Sequence, residues 1–469
     1  MCLAAGFTTL LDQSMINLAA TAMARDLGAT RGELPWLLAA YSLAFGLALV
    51  PAGRFGDLRG RRALLVAGVA VFGVGGLISG AASEVGVIIA ARLLQGVGGG
   101  IISSQVLGLI QDLFGGTRRL RALAAYGVMA GVAGVLGPLV GAVLITVLPP
   151  SLGWRAVLVM SAPLAVVTAL VGVRLLPAAP SSVVSPDGGR PVGHRPRVRL
   201  DLPGLALLAT LTLCLLAPFV PVGLRGWQVA AAFAGAAGAA AAFVARERSA
   251  GRRDPASVIV PPALAAAPGF VQGTLVSTFW FGAQLAETAL VALYLLGDLG
   301  VRPLVVALLA VPNAVAFALA SGRSWRAVER WGPRVITVAL VGQVVLTMLL
   351  ALVLQGRSAG AAICLLAGVN VLAGLTGGCV DSPNRAATLM HAPEPSRGVA
   401  AGFLQLAQRL SATVAIAAVT GIALHAGGAD AGLSGLRLAP ALWLCAGLEA
   451  VALAIAASRH LDRRLASDD

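Results

Sequence analysis

Apolar stretches of about 20 residues, each closed by a short polar turn, recur from one end of the chain to the other. They run over 3–24, 34–53, 63–82, 86–113, 122–148, 154–176, 202–222, 227–245, 269–296, 303–321, 334–355, 359–380, 398–426 and 437–458. Each is long enough to cross a bilayer as a helix, so the pattern predicts fourteen spans. They are rich in alanine and leucine and lack the short alternation of barrel strands, which makes them helices. The expected fold class is an all-α polytopic membrane protein. The first span begins almost at Met1; no basic region precedes it and Asp12-Gln13 interrupt it, so it is not read as a secretory signal.

Polar punctuation divides the fourteen. The longest polar segment is 177–200, and a second basic connection covers 246–262. Residues 1–176 are therefore expected to form one six-helix bundle, followed by a cytoplasmic loop at 177–200. An additional pair of helices over 201–245 comes next, bland except for Thr210, Thr212 and Gln228, and then a cytoplasmic linker at 246–268. A second six-helix bundle occupies 269–458 and a short tail 459–469. A weak internal echo links the bundles: Gly53-Arg54 leads to Arg59-Gly60-Arg61-Arg62, and Gly322-Arg323 leads to Arg330-Trp331-Gly332-Pro333-Arg334. Such repeats are how many transporters are built.

Composition agrees. Of 469 residues, 58% are hydrophobic and 12% charged, with a mean hydropathy of +0.89. That leaves too little polar surface for a soluble enzyme and is too apolar for disorder. The net charge of +14 resembles a nucleic-acid footprint until its bearers are placed. There is no lysine, and 25 of the 34 basic residues, all arginine, fall in loops after even-numbered spans or at the C-terminus. By the positive-inside rule both termini face the cytoplasm of a multi-pass plasma-membrane protein. The lipid bilayer, not nucleic acid, is the expected partner, and the protein is expected to be a monomer. Without lysine no phosphate-binding glycine loop of the ATPase kind exists. Cys2, Cys214, Cys364, Cys379 and Cys445 sit at unrelated spacings inside apolar segments, so neither disulfides nor a metal site is expected.

Charges inside spans carry the candidate chemistry, since each is expensive to insert and usually faces a cavity or a partner. Asp12 is foremost, with Gln13 and Asn17 widening its polar arc; it either moves protons or merely bonds a neighbouring helix. Arg92, on one face with Gln95, Gly96, Gly99 and Ser103, needs an acceptor, and Asp12 is the candidate if their helices abut. In the ninth span Trp280, Gln284, Glu287 and Thr288 share one face. There Glu287 either exchanges a proton for a cationic ligand or makes an interhelical hydrogen bond. Arg409 and Glu449, in the last two spans, are a possible pair. Asp112, Glu329 and Asp381 sit beside arginines at cytoplasmic ends, as gate salt bridges or as solvated faces.

The turn after the second span, Gly53-Arg54-Phe55-Gly56-Asp57-Leu58-Arg59-Gly60-Arg61-Arg62, resembles the signature loop of the major facilitator superfamily. Three further segments are similar to motifs of its fourteen-span drug:proton antiporter branch: Leu11 to Ala19 in the first span, Arg92 to Gly100 in the fourth and Gly137-Pro138-Leu139-Val140-Gly141 in the fifth. Gly402 to Arg409 extends the likeness to the last third. The chain departs from the family pattern at Leu58, Thr21, Ala133 and Ala142. The resemblance implies two six-helix bundles plus two extra helices, a proton-coupling role for Arg92, and gating roles for Gly53, Asp57, Gly60, Arg61, Arg62, Gly137, Pro138 and Gly141.

The expectation is a secondary active exporter of small amphiphilic or cationic compounds such as drugs or antibiotics. It exchanges substrate for protons by alternating access. Asp12, Glu287 and Arg92 couple protons; Gln13, Asn17, Gln95, Trp280, Gln284 and Glu287 contact substrate. No cofactor is needed beyond the proton gradient. Alternatives are a dedicated exporter of one endogenous natural product, an uptake permease, or a membrane sensor. An enzyme is not expected, because His194, His391, His425 and His460 are scattered without a paired motif.

Overall fold

Wherever they are described, the apolar windows are largely helix; Gly60 and Gly332 mark the breaks before the helices that start at Arg61 and Arg334, and the side chains of Asp201 and Ser358 cap those that start at Leu202 and Ala359. The computed structural model describes residues 2–30, 32–113, 116–175, 201–219, 226–253, 258–332, 334–393, 397–425 and 436–465. The loop expected over 177–200 lies outside them. The first half holds α1 (Cys2–Asp26), α2 (Glu33–Arg59), α3 (Arg61–Ala81), α4 (Val85–Leu113) and α5 (Gly116–Val147). Its sixth passage is split at Met160 into α6 (Pro150–Val159) and α7 (Ser161–Leu175). Next come α8 (Leu202–Leu216), α9 (Gly226–Arg253) and the short α10 (Pro262–Ala265). The second half holds α11 (Pro268–Leu293), α12 (Pro303–Trp331), α13 (Arg334–Val353), α14 (Ala359–Met390), α15 (Arg397–His425) and α16 (Leu438–Leu465). A π-helical turn, Tyr294–Asp298, closes α11.

Among the described residues, 11 helices are long and apolar enough to cross a membrane. The segments 131–147 and 202–216 are apolar but shorter. The 25-residue α1 carries Asp12, Gln13 and Asn17 in its middle, which lowers its hydropathy. Val166, Val167, Leu170, Leu308, Leu319, Val338 and Leu352 are exposed on the outside of the bundle, as a lipid-facing surface requires.

The two halves pack alike. In the first, α2 and α3 lie against α4, α1 against α5 and α3 against α7; in the second, α12 and α13 lie against α14, α11 against α15 and α13 against α16. They meet through α2 with α15 and α5 with α12, a symmetric exchange of equivalent helices. Glycines make the close approaches: a Cβ on Gly96 would strike the Tyr41 carbonyl of α2, and one on Gly378 the Phe317 carbonyl of α12. The turns repeat as well, since positive φ occurs at Gly28 and Gly60 and again, in each case 272 residues later, at Gly300 and Gly332.

The largest apolar cluster joins the halves toward the arginine-poor ends of the helices, where Met15, Leu18 and Met23 meet Leu290, Leu293 and Tyr294. The additional pair covers a seam between halves. From α8, Leu208 packs with Val50 and Leu406, and Leu216 with Leu43 and Ala417. The linker expected over 246–268 opens instead as helix. Arg246 there pairs with Asp201, the N-cap of α8, at 2.6 Å, and Glu247 accepts from the backbone N–H groups of Ile259 and Val260 at 3.2 and 2.9 Å.

Candidate functional site

The middle of α1 has one strongly polar neighbour, α4, and the two helices exchange charge there. Arg92 donates from Nη1 to Asp12 Oδ2 at 2.8 Å and to Gln95 Oε1 at 2.8 Å. Gln95 donates from Nε2 to Asp12 Oδ1 at 2.8 Å and to Ser161 Oγ of α7 at 3.2 Å. Asp12 is 4% exposed, Arg92 1% and Gln95 fully buried. The guanidinium also lies over the Tyr41 ring at 4.7 Å. This triad is closed from three directions, because α3 comes so near that a Cβ on Gly75 would strike the Gln95 backbone. An ion pair so enclosed survives because both carboxylate oxygens are hydrogen-bonded; its remaining imperfection is Arg92 Nε, which has no partner. Chemically, a proton arriving at Asp12 would remove the charge opposite Arg92 and weaken both bonds to the carboxyl.

Gln13 and Asn17 stand half-buried one turn apart on the same helix. Gly137 and Gly141 of α5 face α1, against Ser14, the Leu11 carbonyl and Met15, whereas Gly131 and Gly134 have nothing near them. Among the described glycines of α5, Gly137 and Gly141 are the ones that make this close approach. In the signature turn, Gly53 faces Ser104, Gly56 faces Gln105, and Gly60 breaks the helix with φ +95°. Arg61 reaches α4 beside Gly108. The side chains of Arg54, Asp57, Leu58, Arg59 and Asp112 lie outside the described set, while Arg62 is described and engaged.

The expected arc on α11 divides. Trp280 is buried among Ile336, Leu340 and Val380 with its Nε1 unpartnered, Gln284 is half-buried, and Thr288 is exposed. Glu287 turns toward α13 and accepts from Thr347 Oγ1 at 3.1 Å. Beside it lies Glu449 of α16, 0% exposed, with neither carboxyl oxygen hydrogen-bonded and within electrostatic reach of Glu287. Gln343 of α13 lines the same region and accepts from Thr376 Oγ1 at 2.7 Å. The pairing of Glu449 with Arg409 does not form, because α15 presents Arg409 to Phe45 and Phe281 instead.

At the arginine-rich ends Asp381 pairs within its own helix with Arg385 at 3.3 Å, and Glu329 is exposed. At the opposite end Arg25 of α1 donates from Nη2 to the carbonyls of Leu296 and Gly297 at 2.7 and 3.2 Å, a bond between halves that the sequence reading did not foresee. No group of three His, Cys, Asp or Glu side chains comes together among the described residues.

Residues 2–286 match the model of the Major Facilitator Superfamily. A Streptomyces coelicolor protein named "Probable actinorhodin transporter" is 31% identical over 420 residues, which are 88% of this chain and 70% of that protein. The cephamycin export protein of Amycolatopsis lactamdurans is 36% identical over 276 residues, 58% of this chain and 53% of its own length. The fold is that of a crystallised D-xylose-proton symporter, at a TM-score of 0.66 and 14% identity, with 97% of this chain and 95% of that one covered.

Proposed function

Because the chain belongs to the Major Facilitator Superfamily and is a multi-pass membrane transporter, not an enzyme, we propose that it is a proton-coupled exporter of small amphiphilic compounds. On this reading it has fourteen spans and both termini in the cytoplasm of a plasma-membrane protein. It works by alternating access of the two halves. The observation that carries the reading is the buried Asp12–Arg92–Gln95 triad in the middle of the first span. A proton reaching Asp12 removes the charge that pairs with Arg92 and loosens the tie between α1 and α4, which are then freer to shift. Glu287 supplies a second protonatable group in the other half. The apolar closure and Arg25 at the arginine-poor end describe a transporter shut on its outer side, ready to load from the cytoplasm or inner leaflet.

Gln13, Asn17 and Gln284 are assigned to substrate contact, and Trp280 to the wall behind them. The turn around Gly60 and the Gly137-Pro138-Gly141 segment are the gating parts. Relatives named for one product each favour a second reading, a dedicated exporter of a single natural product.

Inverted membrane vesicles test the proposal. An imposed proton gradient should drive accumulation of an amphiphilic dye, and added dye should release protons. Asp12→Asn should lower both by at least about tenfold while the protein remains inserted. Unchanged pH-dependent accumulation in that variant would remove Asp12 from the mechanism.

A further inference from the structure

The exporter reading employs the buried acids and leaves one buried cation without a task. Arg409 is 8% exposed, on the face of α15 that packs against α2. The approach there is close: a Cβ on Gly46 would touch the Arg409 Cβ. Its guanidinium lies 4.6 Å from the centre of the Phe45 ring and 5.5 Å from that of Phe281. Phe45 belongs to the first half and Phe281 to the second. Nη1 has no hydrogen-bond partner, and the ion pairs of the described residues do not include Arg409.

Among the described residues, every nearby group that could balance this charge is a neutral phenol, another cation or already engaged. Tyr41 and Tyr126 are within electrostatic reach, and so is a second cation, Arg385. The Tyr41 hydroxyl, Arg385 Nε and Gln408 Nε2 are likewise buried without partners. Asp12 is held by Arg92 and Gln95, and Asp381 by Arg385. Aromatic faces attract a guanidinium but accept no directed hydrogen bond, so they do not replace the water it has lost. The seam therefore presents a buried guanidinium between two aromatic walls, with no carboxylate paired to it among the described residues.

We infer that Arg409 receives a carboxylate of the transported compound at the seam between the halves, and that the substrate class is an aromatic amphiphile bearing an acidic group. The inference rests on the transporter reading and narrows it away from purely cationic compounds. A carboxylate matches the guanidinium fork with two parallel hydrogen bonds, and an aromatic body attached to it would stack against Phe45 or Phe281. An occupant so placed touches both halves at once.

The test uses the intact protein purified in detergent, without any gradient, and two probes with the same aromatic body, pyrenebutyrate and its methyl ester. The acid should bind at least about tenfold more tightly than the ester. Arg409→Gln should erase that preference and leave ester binding unchanged, while Arg409→Lys should keep part of it. Equal binding of acid and ester to the unaltered protein overturns the proposal, and that measurement needs no variant to fold. Equal weakening of both probes by Arg409→Gln, in protein that melts normally, also overturns it and makes Arg409 a structural contact. Arg409-dependent binding in protein that shows no proton-driven transport would leave this site standing and defeat the proton-coupled reading instead.

Discussion

In the first half the buried acid Asp12 meets Arg92 at 2.8 Å and Gln95 at 2.8 Å, while in the second Glu287 accepts from the hydroxyl of Thr347 and neither it nor Glu449 forms an ion pair among the described residues. The helices around these sites pack in the same order, and the 272-residue offset between the turn glycines carries Asp12 onto Gln284 and Arg92 onto Cys364. A duplicated scaffold has thus kept its backbone contacts and changed its electrostatics. The first half holds a set that is neutral as it stands, and the second holds carboxyl groups with no positive partner beside them. Backbone packing depends on small residues at crossing points, which tolerate almost any neighbour, whereas a buried charge depends on one particular partner.

Removing the cation should break this contrast most visibly. Arg92→Leu strands Asp12 and is expected to destabilise the protein by ~3–5 kcal/mol, with Asp12→Asn in the same chain restoring much of the loss. Thermal unfolding of the purified variants measures it, and a single variant melting like the parent would mean the two halves do not differ. Next in size are Gly60→Ala and Gly332→Ala. Both positions have φ values of +95° and +63° with nothing close to the added carbon, so the effect is backbone strain alone, ~1–3 kcal/mol each. Similar losses would support the repeat, and a large difference would argue against it. The smallest effect is expected from Glu449→Gln, within ~1 kcal/mol, because no cation is left behind. A fall as large as that of Arg92→Leu would show that Glu449 has a charged partner after all.

Much of this was legible in the chain. The spans follow from runs of apolar residues, and an arginine inside the fourth span demands a carboxylate of which very few lie in mid-span. The faces of the last two spans were not legible. In α16 Glu449 is a lone acid among apolar residues, and in α15 polar residues from Gln405 to Thr413 spread around the helix, so nothing in the pattern says which way Arg409 or Glu449 points. Arg409 and Glu449 are therefore plausible partners on paper, yet α15 turns one toward α2 and α16 turns the other toward α11 and α13. The helical start of the 246–268 connection was hidden for a related reason. Its support is Asp201, distant along the chain and brought in only by the antiparallel return of α9 beside α8.

Arg25 gives the arginine-poor end a property separate from any chemistry at the acids. Its two acceptors are backbone carbonyls, so neither a proton nor a side-chain replacement on the opposite helix can switch them off. Arg25 is itself exposed, so solvent competes for both bonds, and a net ~1 kcal/mol would move the equilibrium about fivefold. Arg25→Ala should accordingly enrich the outward conformer by that order, read as faster labelling of a cysteine placed at Asn17. Arg25 would then act as ballast: it sets how often the transporter visits its other state without altering which compound it carries or how many protons it spends.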